Sequence, residues 1–179
     1  MNISPDRNPE TWEQQLRELL PLLGHRNWIV VADSAYPAQS SEGIKTIATS
    51  ADHVEVLAKT LRAIAECRHV RAKVYVDAEF RYVTEEDAPG VSALRRELDC
   101  LMTNEKASEV GHEQLIAKLD EGSRLYQTLI LKTTLAIPYT SVFMQLDCGY
   151  WSDAAEKRLR HSPAIEKAPH DSIFYPTQH

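Results

Sequence analysis

The sequence predicts an α/β fold: one three-layer α/β/α domain around a largely parallel or mixed sheet. Three observations predict it. Short apolar runs bounded by turn residues recur at 28–32, 44–48, 129–133 and 141–147, the length and β-branched content of strands. Between them lie segments of ten to fifteen residues with apolar side chains at helical spacing, and such alternation favours a sheet with helices on its faces. The 179 residues, 43% of them hydrophobic, supply one good core but not two comfortable domains.

The elements follow in order. Asn8 is placed to cap a first helix, Pro9 suits its first position, and Trp12, Leu16, Leu19, Leu20 and Leu23 recur at helical spacing. Pro21 shortens or kinks its last turn, and Gly24 suits a left-handed C-terminal cap that hands His25 to the first strand. That strand, Trp28–Ala32, is apolar throughout and β-branched at three places, so it reads as interior. A polar loop, 34–43, leads to a short β-like run, Ile44–Ala48, and Ser50 or Thr49 can cap a helix with Val54, Leu57, Leu61 and Ile64 on its apolar face. Residues 72–83 alternate in part but are interrupted by acidic residues, which leaves their type open. Pro89-Gly90 precedes a charged helix over 91–102, another helix spans about 112–126, and two strands close the core with a proline turn at 135–139 between them. Residues 1–151 make the domain. Residues 152–179 are charged, carry three prolines and read as an extension, with wrapping of a neighbouring subunit as its expected use.

Composition narrows the function. A net charge of −6 and a pI near 5.6 leave no basic footprint, so neither nucleic acid nor an anionic membrane surface is an expected partner. No apolar run approaches the length of a membrane span, and the first residues lack the basic start and apolar core of a signal peptide, so a soluble cytoplasmic protein is expected. Cys67, Cys100 and Cys148 are widely spaced and fit reduced core thiols. There is no glycine-rich phosphate loop and no Gly-x-Ser-x-Gly, and hence no motif for a nucleotide or a serine nucleophile. His112-Glu113 would need a histidine at 116 for a zinc motif and has Ile116 instead. His53, His69 and His112 have no paired spacing, and no metal or other cofactor is expected. The acidic run 85–87 reads as a solvated turn, and Tyr150 and Trp151 as aromatics closing a core edge.

Two residues bracket the first strand with polar chemistry. His25 can give and take a proton near neutral pH, although a histidine interacting with the carboxyl end of the preceding helix is the commoner use of such a position. Asp33 falls at the carboxyl end of the strand, where open α/β sheets bind ligands, and serves equally as the cap of the 34–43 loop.

Gly24-His25, the apolar strand, Asp33 eight residues after the histidine and Pro37 close behind resemble the D-ribose pyranase and L-fucose mutarotase family of sugar-anomer isomerases. Two further pieces are similar: His112-Glu113-Gln114-Leu115 looks like the family's His-Glu before its last helix, and Tyr139-Thr140-Ser141 looks like the Tyr-Ala-Asn or Tyr-Gly-Asn that opens its final strand. The resemblance covers residues 10–146. It implies that His25 is the catalytic proton donor and that Asp33, His112, Tyr139, Thr140 and Ser141 hold sugar hydroxyls. It further implies a monosaccharide substrate, no cofactor and a ring-like homo-oligomer, with a decamer as the size to test and sites between subunits. Ser141 stands where the family has Asn, so one hydroxyl replaces a two-headed amide, and Thr134-Leu135 stands where it has Gly-Glu. A catalytically silent sugar-binding or assembly protein of the same fold is the alternative.

Geometry adds an expectation of its own. Eight residues of extended chain span about 26 Å, which leaves His25 and Asp33 at opposite edges of the sheet. A site using both then needs His25 of one subunit and ligands from its neighbour.

Overall fold

Strand β1 (Trp28–Ala32) is buried at all five positions, as an uninterrupted apolar run requires of a strand covered on both faces. The computed structural model describes residues 11–103 and 105–161. In chain order the described residues also form α1 (Trp12–Leu19), β2 (Ile44–Ala48), α2 (His53–Glu66), β3 (Val70–Asp77), α3 (Val91–Leu101), β4 (Ser108–Val110), α4 (His112–Ser123), β5 (Thr128–Lys132), β6 (Val142–Cys148) and α5 (Asp153–Arg160). The six strands lie in the order β2-β5-β1-β6-β3-β4. Neighbouring strands are parallel except where β6 is involved, since it runs antiparallel to both β1 and β3. The sheet is therefore mixed through a single interior strand. That reversal puts the start of β6 at the carboxyl ends of the other strands and its end at their amino ends.

Alternation along β1 sorts the core into two layers. Ile29 and Val31 pack in a cluster with Trp12 and Leu16 of α1, Leu57 of α2 and Leu98 of α3. Trp28, Val30 and Ala32 face the other way, onto Tyr36 and onto Leu115 and Leu119 of α4. Three helices cover one face and α4 the other, the α/β/α layering expected.

Local differences from the sequence reading have identifiable causes. Thr11 caps α1 in a reciprocal capping box with Gln14, while the expected cap Asn8 lies outside the described residues. Pro21 tightens the end of α1 into a 3-10 turn, Leu20–Leu22. Gly24 does not take the left-handed conformation; Arg26 does, with φ 77°. The reason is Asn27, whose Oδ1 accepts the Gly24 N–H at 2.7 Å and whose N–H donates to the Gly24 carbonyl at 3.0 Å, closing a turn that puts positive φ on its third residue. The histidine at the end of this first helical segment is His69, whose Nε2 lies 3.3 and 3.1 Å from the carbonyls of Leu20 and Leu23.

Asp52, rather than Ser50 or Thr49, caps α2 by accepting the N–H groups of Val54 and Glu55. The segment 72–83 resolves into the end of β3 and a 3-10 turn, Ala78–Tyr82. Strand β4 was not legible, because three residues with one apolar side chain show no period. Within the acidic run, Glu85 accepts the Gly90 and Ser92 N–H groups at the start of α3, and these bonds hold its carboxyl down at about 2. The three cysteines are free thiols, but they are not all in the core as expected: Cys67 and Cys148 are half-buried and Cys100 is exposed on α3.

The chain divides into two compact units after Gly149. In the second, Ser152 caps α5 and the Trp151 indole N–H donates to Glu156. Most of the extension expected to wrap a neighbour lies outside the described residues.

Candidate functional site

The carboxyl edge of the sheet gathers most of the candidate residues. Asp33 follows β1, Asp77 ends β3, His112 opens α4 directly after β4, and 139–141 precede the reversed β6. Asp33, Tyr36, His112, Ile116, Ile137 and Tyr139 line a cleft of about 690 Å³ there.

Each side chain has a traceable anchor. Asp33 Oδ1 accepts the Ala35 N–H at 2.8 Å, so it does cap the loop that follows, while Oδ2 accepts the Ser141 hydroxyl at 3.2 Å. Glu79 receives the His112 backbone N–H on both oxygens, at 3.1 and 3.0 Å, and thereby fixes the first turn of α4. The His112 Nδ1 lies 3.1 Å from Oδ1 of Asp77, a buried carboxylate whose Oδ2 has no hydrogen-bond partner among the described residues. Burial pushes the Asp77 carboxyl up, and its contact with His112 only partly offsets that. Tyr36 is pushed up to about 12, first by burial and then by the nearby charges of Asp120, Asp77 and Asp33, so its phenol stays protonated. Tyr139 sits in the left-handed region at φ 59° and sets its ring edge-on to His112, centroids 5.4 Å apart. Thr140 and Ser141 are buried; the Thr140 hydroxyl donates to the Ile137 carbonyl at 2.8 Å, and neither residue lines the cleft.

His25 is at the other edge. With Trp28, Lys73, Lys118, Gln145 and Asp147 it lines a second cleft, of about 530 Å³, at the amino end of β1. Its Nδ1 lies 2.9 Å from Asp147 Oδ1, and its side chain is 58% exposed. Burial alone would raise the Asp147 carboxyl, but Lys73, Arg71 and the Cys148 N–H together hold it well below the usual carboxylate range.

The structure thus brings Asp33, His112 and Tyr139 to one cleft, ties Ser141 to it through Asp33, and keeps His25 apart from all of them. Asp77, Tyr36 and Asp147 were missed in the sequence. The only available signals were a carboxylate within the otherwise largely apolar β6 and another closing β3; what each touches depends on strand order. Among the described residues no cluster of histidine, cysteine, aspartate or glutamate is placed to hold a metal ion, and no helix is long and apolar enough to cross a membrane.

Comparison with known proteins agrees with this fold. The structure is similar to Bacillus subtilis RbsD complexed with D-ribose, at 19% identity and a TM-score of 0.52, covering 82% of this chain and 98% of that one. It is also similar to the fucose mutarotase from Streptococcus pneumoniae in complex with L-fucose, at 15% identity and a TM-score of 0.50, covering 81% of this chain and 98% of that one. No curated protein sequence matches it significantly. Residues 8–147 match the RbsD / FucU transport protein family, and the chain belongs to that family.

Proposed function

We propose that the protein interconverts the anomers, or the pyranose and furanose forms, of a ribose- or fucose-like monosaccharide by opening and reclosing the ring. The observation that carries this reading is the convergence of Asp33, His112 and Tyr139 on one cleft, at the edge of the sheet opposite His25. Sugars complexed with the two similar structures, D-ribose and L-fucose, support the substrate class.

Ring opening removes a proton from the anomeric hydroxyl and delivers one to the ring oxygen. The C1–O5 bond breaks, the open-chain aldehyde turns about C1–C2, and reclosure on the other face reverses both proton transfers. An imidazole serves as the donor and acceptor, a role that contributes about a hundredfold to ten-thousandfold. In this reading His25 is that group, Asp33, His112 and Tyr139 hold the sugar, and the buried Ser141 and Thr140 act behind them, Ser141 through its bond to Asp33 and Thr140 through its bond to the Ile137 carbonyl. His25 of one subunit then faces the carboxyl-edge cleft of its neighbour, which makes a ring-like homo-oligomer the working form and a decamer the size to test.

Exchange NMR on ribose, fucose and other aldoses tests the activity, with light scattering for the assembly. Faster anomer exchange with the native protein, lost in His25→Ala, is the expected result. Binding of sugars without faster exchange identifies a silent sugar-binding protein of the same fold, and neither binding nor exchange overturns the reading.

A further inference from the structure

We infer that Asp147 is the positioning residue for His25: it fixes the imidazole as the Nδ1–H tautomer, so that Nε2 carries the lone pair presented to substrate. Its catalytic consequence rests on the mutarotase reading; its structural content does not.

The two oxygens of Asp147 divide their work. Oδ1 faces the Nδ1 of His25 at 2.9 Å and accepts the Cys148 backbone N–H at 2.8 Å. Oδ2 meets Arg71 Nη2 at 2.8 Å and Lys73 Nζ at 2.9 Å. The antiparallel register of β3 and β6 builds this arrangement, because Arg71 stands directly opposite Asp147 and Lys73 lies two residues further along the same face of β3. The Asp147 side chain is only 10% exposed. Two cations on one oxygen keep it a carboxylate, and a carboxylate can only accept. The Nδ1 of His25 must therefore carry hydrogen, and in the neutral ring the lone pair falls to Nε2.

The exposed ring projects from this anchor into the amino-edge cleft. The other charged groups lining that cleft are committed elsewhere or stand on other elements: Arg26 bonds the Tyr126 hydroxyl and lies over its ring, Lys118 lies over the Tyr75 ring, and Glu121 is on α4. None of these three has a hydrogen bond or ion pair with the imidazole among the described residues, and the contact that selects the tautomer is the one with Asp147. This is the logic by which a buried aspartate orients a catalytic histidine without itself exchanging the proton.

The substitution Asp147→Asn should invert the selection. Arg71 and Lys73, two cations against the single Cys148 N–H on the other side, still demand an acceptor, which turns the amide oxygen toward them and the amide N–H toward His25. Nδ1 then becomes the acceptor and the proton moves to Nε2.

Nitrogen-15 histidine NMR on the full chain reads this directly. In the wild type, the neutral His25 ring, assigned by its loss in His25→Gln, should show a protonated Nδ1 and an unprotonated Nε2, the reverse of the preference of a free imidazole. In Asp147→Asn the two should exchange roles, and kcat for anomer exchange should fall roughly tenfold to a hundredfold while KM stays within about twofold. A wild-type His25 found as Nε2–H overturns the inference even if Asp147→Asn does not fold. So does a variant that keeps the wild-type tautomer and kcat. A wild type without sugar exchange overturns the proposed function instead, and the tautomer measurement still decides the role of Asp147.

Discussion

His25 and Asp33 stand at opposite ends of β1 and line different clefts, one at the amino edge of the sheet and one at the carboxyl edge. No side-chain motion brings the ends of a five-residue buried strand together, so a reaction that uses both must draw them from two subunits. Mixing inactive subunits tests this. His25→Ala and Asp33→Ala proteins, each without activity, should on dissociation and reassembly in equal amounts recover about a quarter of the wild-type rate, because one site in four pairs an intact His25 with an intact Asp33. No recovery from a mixture shown by mass spectrometry to contain hybrid oligomers would rule out the shared site.

His53 ties stability to pH. It is fully buried at the start of α2, with Nδ1 3.1 Å from the Thr133 hydroxyl, and burial lowers its pKa from 6.5 to about 4, outweighing the charges of Asp52 and Asp33 and the Thr140 backbone. The native state keeps it neutral while the unfolded chain protonates it. Its contribution is thus full above about pH 6.5 and lost as the pH falls toward 4, with a ceiling on the order of 3 kcal/mol. Urea unfolding at pH 7 and pH 5 should show a smaller loss in His53→Phe than in the wild type. Equal losses would place the acid sensitivity elsewhere.

Much of the fold was legible, because strand and helix periods are local. Trp28–Ala32 and Ile44–Ala48 match their sequence expectations residue for residue, and the starts of α3 and α4 follow the glycines at 90 and 111. Strand direction was not, since an apolar run such as Val142–Cys148 reads the same whichever way it runs. What β6 does to the site follows from that direction: it carries 139–141 to Asp33 and Asp147 to His25. The helix-end histidine was misplaced for a similar reason, as His69 reaches the carbonyls of Leu20 and Leu23 from β3's side across 46 residues or more. Asp33 was legible in both of its alternatives, and the structure shows the capping one while leaving the carboxylate at the cleft.

Gly43 holds the edge of the sheet against α4. A Cβ there would lie 2.0 Å from the backbone oxygen of Ser123 and 3.2 Å from that of Tyr126, and neither oxygen is on a side chain that can turn aside. The Gly43 carbonyl meanwhile accepts the Thr128 N–H that starts β5, so the backbone cannot retreat without losing that bond. Gly43→Ala should therefore destabilise the protein by an amount at or above the upper end of roughly 1–3 kcal/mol, measured by urea unfolding. A loss below about 0.5 kcal/mol would mean that β2 and α4 separate easily.

Tyr139 holds a backbone conformation that its side chain disfavours. At φ 59° it costs on the order of 1 kcal/mol, which the surrounding contacts must offset. The residue is 41% exposed at the carboxyl-edge cleft with its ring edge-on to His112, and in the proposed function that ring packs against the sugar. Tyr139→Gly should leave stability unchanged or raise it by up to about 1 kcal/mol, while sugar affinity falls about threefold to tenfold with the loss of one ring contact. Tyr139→Phe, which keeps the ring, should keep most of the affinity. Calorimetric titration with the sugar that exchanges fastest, alongside thermal unfolding, separates the two effects. A Tyr139→Gly protein that loses stability with its affinity unchanged would show that the ring serves the turn, not the ligand.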